Sequence, residues 1–193
     1  VRLGLTSQHV SATPTLVSAA VTGVAQKFSS TDVGARVAVV VDQLDYANFP
    51  TQGYRLVGQL SIGEGSAEGR FQQLEASAMG VQTFGAHSFS LFGAARGASQ
   101  REPFAIGRYE LGGFHQLSGY RNGQLLGNYV AFSRLTCYWR LPYAPLAARG
   151  LFLGATAEVG NAWANKIAAR EGSLRTGMSV FVGADTGLGP LYL

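Results

Sequence analysis

The chain has 193 residues, of which 13% are charged and 47% hydrophobic, with 26 glycines and a net charge of +4 carried by 13 arginines and 2 lysines against 11 acids. The charged fraction is about half that of an average soluble domain, yet no apolar run approaches the ~18 residues of a membrane helix. The arginines fall one or two per segment instead of in a basic stripe, which argues against nucleic-acid binding, and the single cysteine, Cys137, excludes an intramolecular disulfide framework.

Arg2 to Ser7 and Leu16 to Gln26 are two possible strands, although Ala and Val on both faces of the second leave a helix open. From Gly34 the pattern is plain. Ala35, Val37, Val39 and Val41 alternate with Arg36, Ala38, Val40 and Asp42, as on a strand with one greasy and one charged face. Asp45 to Gly53 supplies turn chemistry, and Tyr54, Leu56, Leu60 and Ile62 then alternate with Arg55, Val57, Gln59 and Ser61. Gly63 to Gly69 superficially resembles a phosphate cradle, but with no helix after it a hairpin turn is the better reading. Leu74, Ala76, Ala78 and Gly80 oppose Gln73, Glu75 and Ser77; after a tight connection at Gly85-Ala-His87, Phe89, Leu91, Gly93 and Ala95 oppose Ser88, Ser90, Phe92 and Arg96.

Residues 100–128 interrupt this series. They are rich in glycine and apolar at Phe104, Leu111, Phe114, Leu117 and Tyr120, which suits a loop packed inward better than one freely solvated. Strands resume at Tyr129 to Leu141, with Ala131, Leu135, Cys137 and Trp139 on one face and Arg134, Thr136, Tyr138 and Arg140 on the other, ending at the Pro142-Tyr-Ala-Pro145 turn. Leu151 to Trp163 sets Glu158 against Leu151, Leu153, Ala155, Ala157 and Val159. Leu174 to Thr186 sets Arg175, Ser179, Phe181 and Asp185 against Met178, Val180, Val182 and Ala184, and one more strand starts at Leu191.

Segments this long and this strictly alternating exceed the usual five or six residues of a soluble strand and match a transmembrane β-barrel, whose outer face meets lipid and whose lumen is polar. On that reading Arg36, Asp42, Arg55, Glu75, Arg96, Arg134, Arg140, Glu158, Arg175 and Asp185 share the lumen. Trp139 and Trp163, with Tyr129 and Tyr143, lie near strand ends, where aromatic girdles sit. A soluble antiparallel sheet with one wetted face is the plain alternative. About nine or ten strands are too few for a closed barrel with an even strand number, so the expectation is an open part of a larger one. The start at Val1 without a methionine, and the end inside the apolar run Gly189-Pro-Leu-Tyr-Leu193, fit a piece of a longer protein.

Catalytic chemistry finds no foothold. The chain contains no nucleophile elbow, no zinc-protease helix and no phosphate-binding loop, and His9, His87 and His115 are scattered. Glu75 and Glu158 lie among arginines that account for them as structural ions, and Cys137 on an apolar face is a packing residue. No cofactor, metal or catalytic residue is expected in this chain.

Four blocks in order carry a resemblance: Asp42-Gln-Leu-Asp-Tyr-Ala-Asn-Phe-Pro-Thr-Gln-Gly-Tyr54, Leu111-Gly-Gly-Phe-His-Gln-Leu-Ser-Gly-Tyr-Arg-Asn-Gly-Gln-Leu-Leu-Gly127, Glu158-Val-Gly-Asn-Ala-Trp163 and Gly183-Ala-Asp-Thr-Gly-Leu-Gly-Pro-Leu-Tyr-Leu193. Together they resemble the bacterial surface antigen superfamily of outer-membrane assembly factors and two-partner-secretion translocators, and within it the C-terminal barrel of bacterial patatin-like phospholipases. The resemblance implies a 16-stranded outer-membrane barrel, of which residues 1–193 are a single C-terminal region, with the loop 100–128 folded into the lumen and its tip against an acid on a late strand. Leu117, Ser118, Gly119, Tyr120 and Arg121 match the tip, and Glu158 with Gly160 the strand, with Arg140 nearby as a further partner. The superfamily's tip arginine is Ser118 here. Arg121 replaces it, or Ser118 hydrogen-bonds in its stead. The implied partners are outer-membrane lipid and either a polypeptide passenger or an attached N-terminal domain, which in the patatin-like branch is a lipase. The expected work is protein translocation or assembly in the bacterial outer membrane; the alternative is a passive pore, which needs only a polar lumen.

Overall fold

The computed structural model describes residues 2–12, 28–65, 69–99, 109–143 and 148–193. They form an all-β structure. Eight long strands and one short one make a single antiparallel sheet in the order β1 (Arg2–Ala12), β2 (Phe28–Asp42), β3 (Gly53–Gly65), β4 (Gly69–Phe84), β5 (His87–Ser99), β8 (Tyr129–Arg140), β9 (Ala148–Trp163), β10 (Arg175–Thr186) and β11 (Gly189–Tyr192). Among the described residues the sheet is open, with β1 and β11 at its edges. The possible strand at Leu16 to Gln26 lies outside the described residues, as do Phe104, part of the Gly63 to Gly69 turn and part of the turn after Pro142.

Two features escape period-2 reasoning because they are too short to show a period. Tyr109–Leu111 (β6) and Leu125–Gly127 (β7) pair as a small hairpin inside the long loop. Lys166–Glu171 forms one helical turn (α1), with the Asn165 side chain accepting from the Ala168 amide as an N-cap.

Register decides the faces. Glu158 lies opposite Arg134, Arg134 opposite Phe92, Phe92 opposite Met79, Met79 opposite Arg55 and Arg55 opposite Asp42. Since directly opposed residues point to the same side and the strands alternate with period 2, Arg36, Glu75, Arg96, Arg140, Arg175 and Asp185 share that face. The other face carries Val37, Val39, Leu56, Leu60, Leu91, Leu135, Leu153, Met178 and Val180. All of these but the half-buried Leu153 are uncovered, with Leu60 46%, Leu91 58% and Val180 79% exposed.

The apolar cores sit on the charged face. Leu111 and Leu117 of the long loop pack with Val130 and Phe132 of β8, and Phe92, Tyr109, Tyr120 and Leu125 gather around them. A second cluster joins Phe49 of the β2–β3 turn to Tyr138, Phe152 and Phe181. In a flat sheet β3 and β10 would stand ~24 Å apart, five steps of ~4.8 Å. The Asn48 Nδ2 donates to Asp185 Oδ1 at 3.1 Å, so the sheet curls towards its polar face.

Candidate functional site

Residues 113–121 make a compact turn. The amides of Gln116 and Leu117 donate to the Gly113 carbonyl and that of Tyr120 to the Leu117 carbonyl. Gly119 has φ of 93°, a left-handed conformation that a side chain would strain. Leu117 is fully buried against β8 and anchors the turn.

Glu158 receives it. The residue is 3% exposed, and its carboxylate accepts from the Ser118 amide at 2.5 Å and the Ser118 hydroxyl at 3.2 Å. A third bond comes from the Thr156 hydroxyl at 2.9 Å, two residues back on the same face of β9. A buried carboxylate needs such donors, because an unsatisfied one is strongly destabilising. Next to it Arg134 donates through Nη1 to the His115 carbonyl, with its guanidinium 5.5 Å from the Phe92 ring centroid. One charge of each sign thus grips the loop through its main chain: Arg134 holds a carbonyl and Glu158 an amide. A tip arginine is unnecessary in this geometry, since the donors that satisfy the acid are the amide and hydroxyl of Ser118.

Glycines on this face permit close approach, Gly177 to the loop, Gly160 to β8 and Gly154 to a ring of β10. A Cβ on Gly177 would stand 2.6 Å from the Ser118 carbonyl oxygen, and one on Gly160 2.6 Å from the Ala131 carbonyl oxygen. Gly154 lies under the Phe181 ring.

Several expected partners sit elsewhere. Tyr120 is not on Glu158; its ring packs beneath Arg175, 5.5 Å from the guanidinium carbon, and Arg175 Nη1 reaches the Tyr120 hydroxyl at 3.4 Å. Arg121 is exposed and is engaged through its main chain, its amide donating to Gln124 Oε1 at 2.8 Å and its carbonyl accepting from the Gln124 amide at 3.0 Å. Arg140 lies opposite Phe152, six positions beyond Arg134 on β8, or ~20 Å along the strand at ~3.3 Å per residue. It binds the Arg149 carbonyl instead of Glu158. Of the remaining charges, Asp42 and Arg55 form an ion pair at 3.5 Å, each side chain about half exposed. Glu75 lies opposite Arg96 in register, Arg36 is exposed, and Asp185 holds Asn48.

Sequence reasoning placed the β2–β3 turn but missed its part in the packing of the polar face. Asp45 orders it by accepting from the amides of Tyr46, Thr51 and Gln52 and from the Thr51 hydroxyl. Desolvation works to raise the Asp45 pKa, but the bonds from Thr51 and its neighbours outweigh it and hold the carboxyl below its usual range. The ordered turn drives Phe49 into a stack on Phe152, 4.1 Å between centroids, and presents the Pro50 carbonyl to the buried Tyr138 hydroxyl. A signal was present: Phe132 and Phe181 stand on the charged face directly opposite Gly160 and Gly154. Bulky rings opposite glycine on a charged face indicate that something covers it.

Among the described residues no three His, Cys, Asp or Glu side chains come together as metal ligands. Set against known proteins, the chain matches no family model and no curated protein.

Proposed function

We propose that this chain is the outer-membrane β-barrel region of a protein translocation or assembly factor, of the kind that anchors a patatin-like phospholipase domain at the membrane. The observation that carries the reading is the inverted build of the sheet: its apolar face is exposed while a polar-face acid, Glu158, holds a loop tip by main-chain bonds. A water-facing sheet would place its greasy side inward, and an uncovered apolar face of this extent marks a surface that meets another phase or partner. Aromatic side chains support a lipid phase. On the apolar face of β8, Tyr129 and Trp139 stand ten residues apart, with Trp163 opposite Tyr129. That is ~33 Å along the strand, and ~25 Å once strands tilt by ~40°, the height of the apolar band of such barrels.

A passive pore requires only a polar lumen. The gripped loop favours a translocator, because it occupies the polar face and would have to shift for a polypeptide to pass. Adjacent residues on β3 test the membrane reading. Leu60→Arg should cost ~2–4 kcal/mol and block outer-membrane assembly, while Gln59→Arg on the polar face should be nearly neutral. Heat-modifiable gel mobility of membrane fractions reads both, and equal effects would refute lipid contact. Surface display of a passenger, or of an attached lipase, should fall in Glu158→Ala while membrane insertion persists; a change in ion conductance alone would favour the pore.

A further inference from the structure

The two insertions enter the curled sheet from opposite ends. The turn 43–52 joins β2 to β3 at the end where β4 meets β5, whereas the long loop joins β5 to β8 at the other. Yet their side chains reach one cluster of rings. Phe49 lies 5.5 Å from Tyr192 of β11, and Tyr192 lies 5.5 Å from Phe181, 5.5 Å from Phe114 and 4.9 Å from His115 of the loop. His115 also meets Phe181 edge-on at 5.2 Å. Tyr192 and Phe181 therefore touch both insertions.

A second, independent observation singles out the two insertion residues that meet there, Phe49 and His115. Among the described residues, Phe49 and His115 are the non-glycine residues with left-handed backbone, at φ of 47° and 64°. A bulky residue persists there only where its surroundings over-determine it, and such strain gathers at switching and clamping positions. Here each strained residue is the one that inserts its ring into the shared cluster. The strain at one insertion is thus held by packing that the other helps to build, as edge-to-face and stacked rings hold their geometry only while their neighbours stay in place.

We infer that the β2–β3 turn is a second latch, coupled to the long loop through Tyr192 and Phe181, so that release of either insertion loosens the other. The coupling does not depend on what the barrel transports. It makes the loop grip sensitive to events at the far end of the sheet, where Asn48, Phe49, Arg140, Phe152 and Asp185 line a cavity of about 590 Å³ open to an approaching ligand or chain.

Hydrogen exchange on the intact protein in detergent or nanodiscs tests this on peptides covering 43–52 and 113–121. Phe49→Ala should raise exchange at least fivefold in both peptides, leaving β3 and β4 protected. Because coupling between two equilibria is reciprocal, Glu158→Ala should raise exchange in 43–52 as well, although Glu158 touches no part of that turn. Phe49→Tyr, which keeps the ring, should restore both. If Phe49→Ala loosens only 43–52, or Glu158→Ala only 113–121, the two latches are independent and the inference is overturned. Should Phe49→Ala also lose protection throughout β8 to β10, Phe49→Leu, which keeps an apolar side chain, decides by the same two peptides. The Phe49–Glu158 double variant adds a further check, since sites in one network are non-additive.

Discussion

Asp42 and Glu158 stand on the same face of one sheet, yet they live in different solvents. Asp42 pairs with Arg55 in the open, both about half exposed, while Glu158 is 3% exposed and spends its carboxylate on a loop. The same contrast runs through the strands around them. On the polar face of β4, Glu75, Ser77 and Met79 are half-buried, whereas the same face of β9 buries Gly154, Thr156, Glu158 and Gly160 in succession. Alternation is identical in the two halves; cover is not. A charge on a polar face is close to neutral in energy when water reaches it and becomes a structural joint when a loop displaces that water, because solvent no longer competes for its bonds.

Carboxylate removal should separate the halves most sharply. Glu158→Ala deletes acceptors for three donors, one of them a main-chain amide, and should loosen the loop by ~2–3 kcal/mol, in the range for bonds to a charged group. Protection of the Ser118 amide reports it. Asp42→Ala should cost below ~1 kcal/mol, as exposed pairs do, and comparable losses at the two sites would erase the distinction. Glycines give the next contrast. A methyl on Gly177 meets the Ser118 main chain, while one on Gly80 meets nothing within 4 Å. Gly177→Ala should therefore displace the loop tip at ~1–2 kcal/mol, and Gly80→Ala should be neutral in thermal melts or slightly stabilising. A tolerated Gly177→Ala with unchanged loop protection would mean that the tip sits looser than its contacts imply.

The smallest effect concerns pH at the β2–β3 turn. The Asp45 carboxyl is held below its usual range in the folded turn, so its contribution is present above the unfolded value of ~3.9 and fades as pH falls through the lower folded value. Exchange in 43–52 should rise on acidification below about pH 4, and Asp45→Asn should remove that dependence. The long loop should respond only as far as the two latches are coupled.

Period-2 alternation is local, since neighbouring side chains on an extended backbone must point apart, and it was enough to read an all-β antiparallel sheet, its turns at Asp45 to Gly53 and Gly85 to His87, and the division of Arg36, Arg55, Arg134, Glu158 and Arg175 from the valines and leucines. It could not say which of those charges is covered. Ser118 and Glu158 are 40 residues apart, and Asn48 and Asp185 are 137 apart. Such meetings depend on how far the sheet curls and on the path of each insertion, which no window of sequence contains. Hence Arg121 and Arg140, plausible partners for Glu158 by charge, lie away from it, while Ser118 supplies the contact through its amide, a group that every residue but proline carries and that composition cannot reveal. Phe49 is the same lesson at the other end of the sheet: its neighbours spell a turn, and only the curled sheet turns its ring into a wedge.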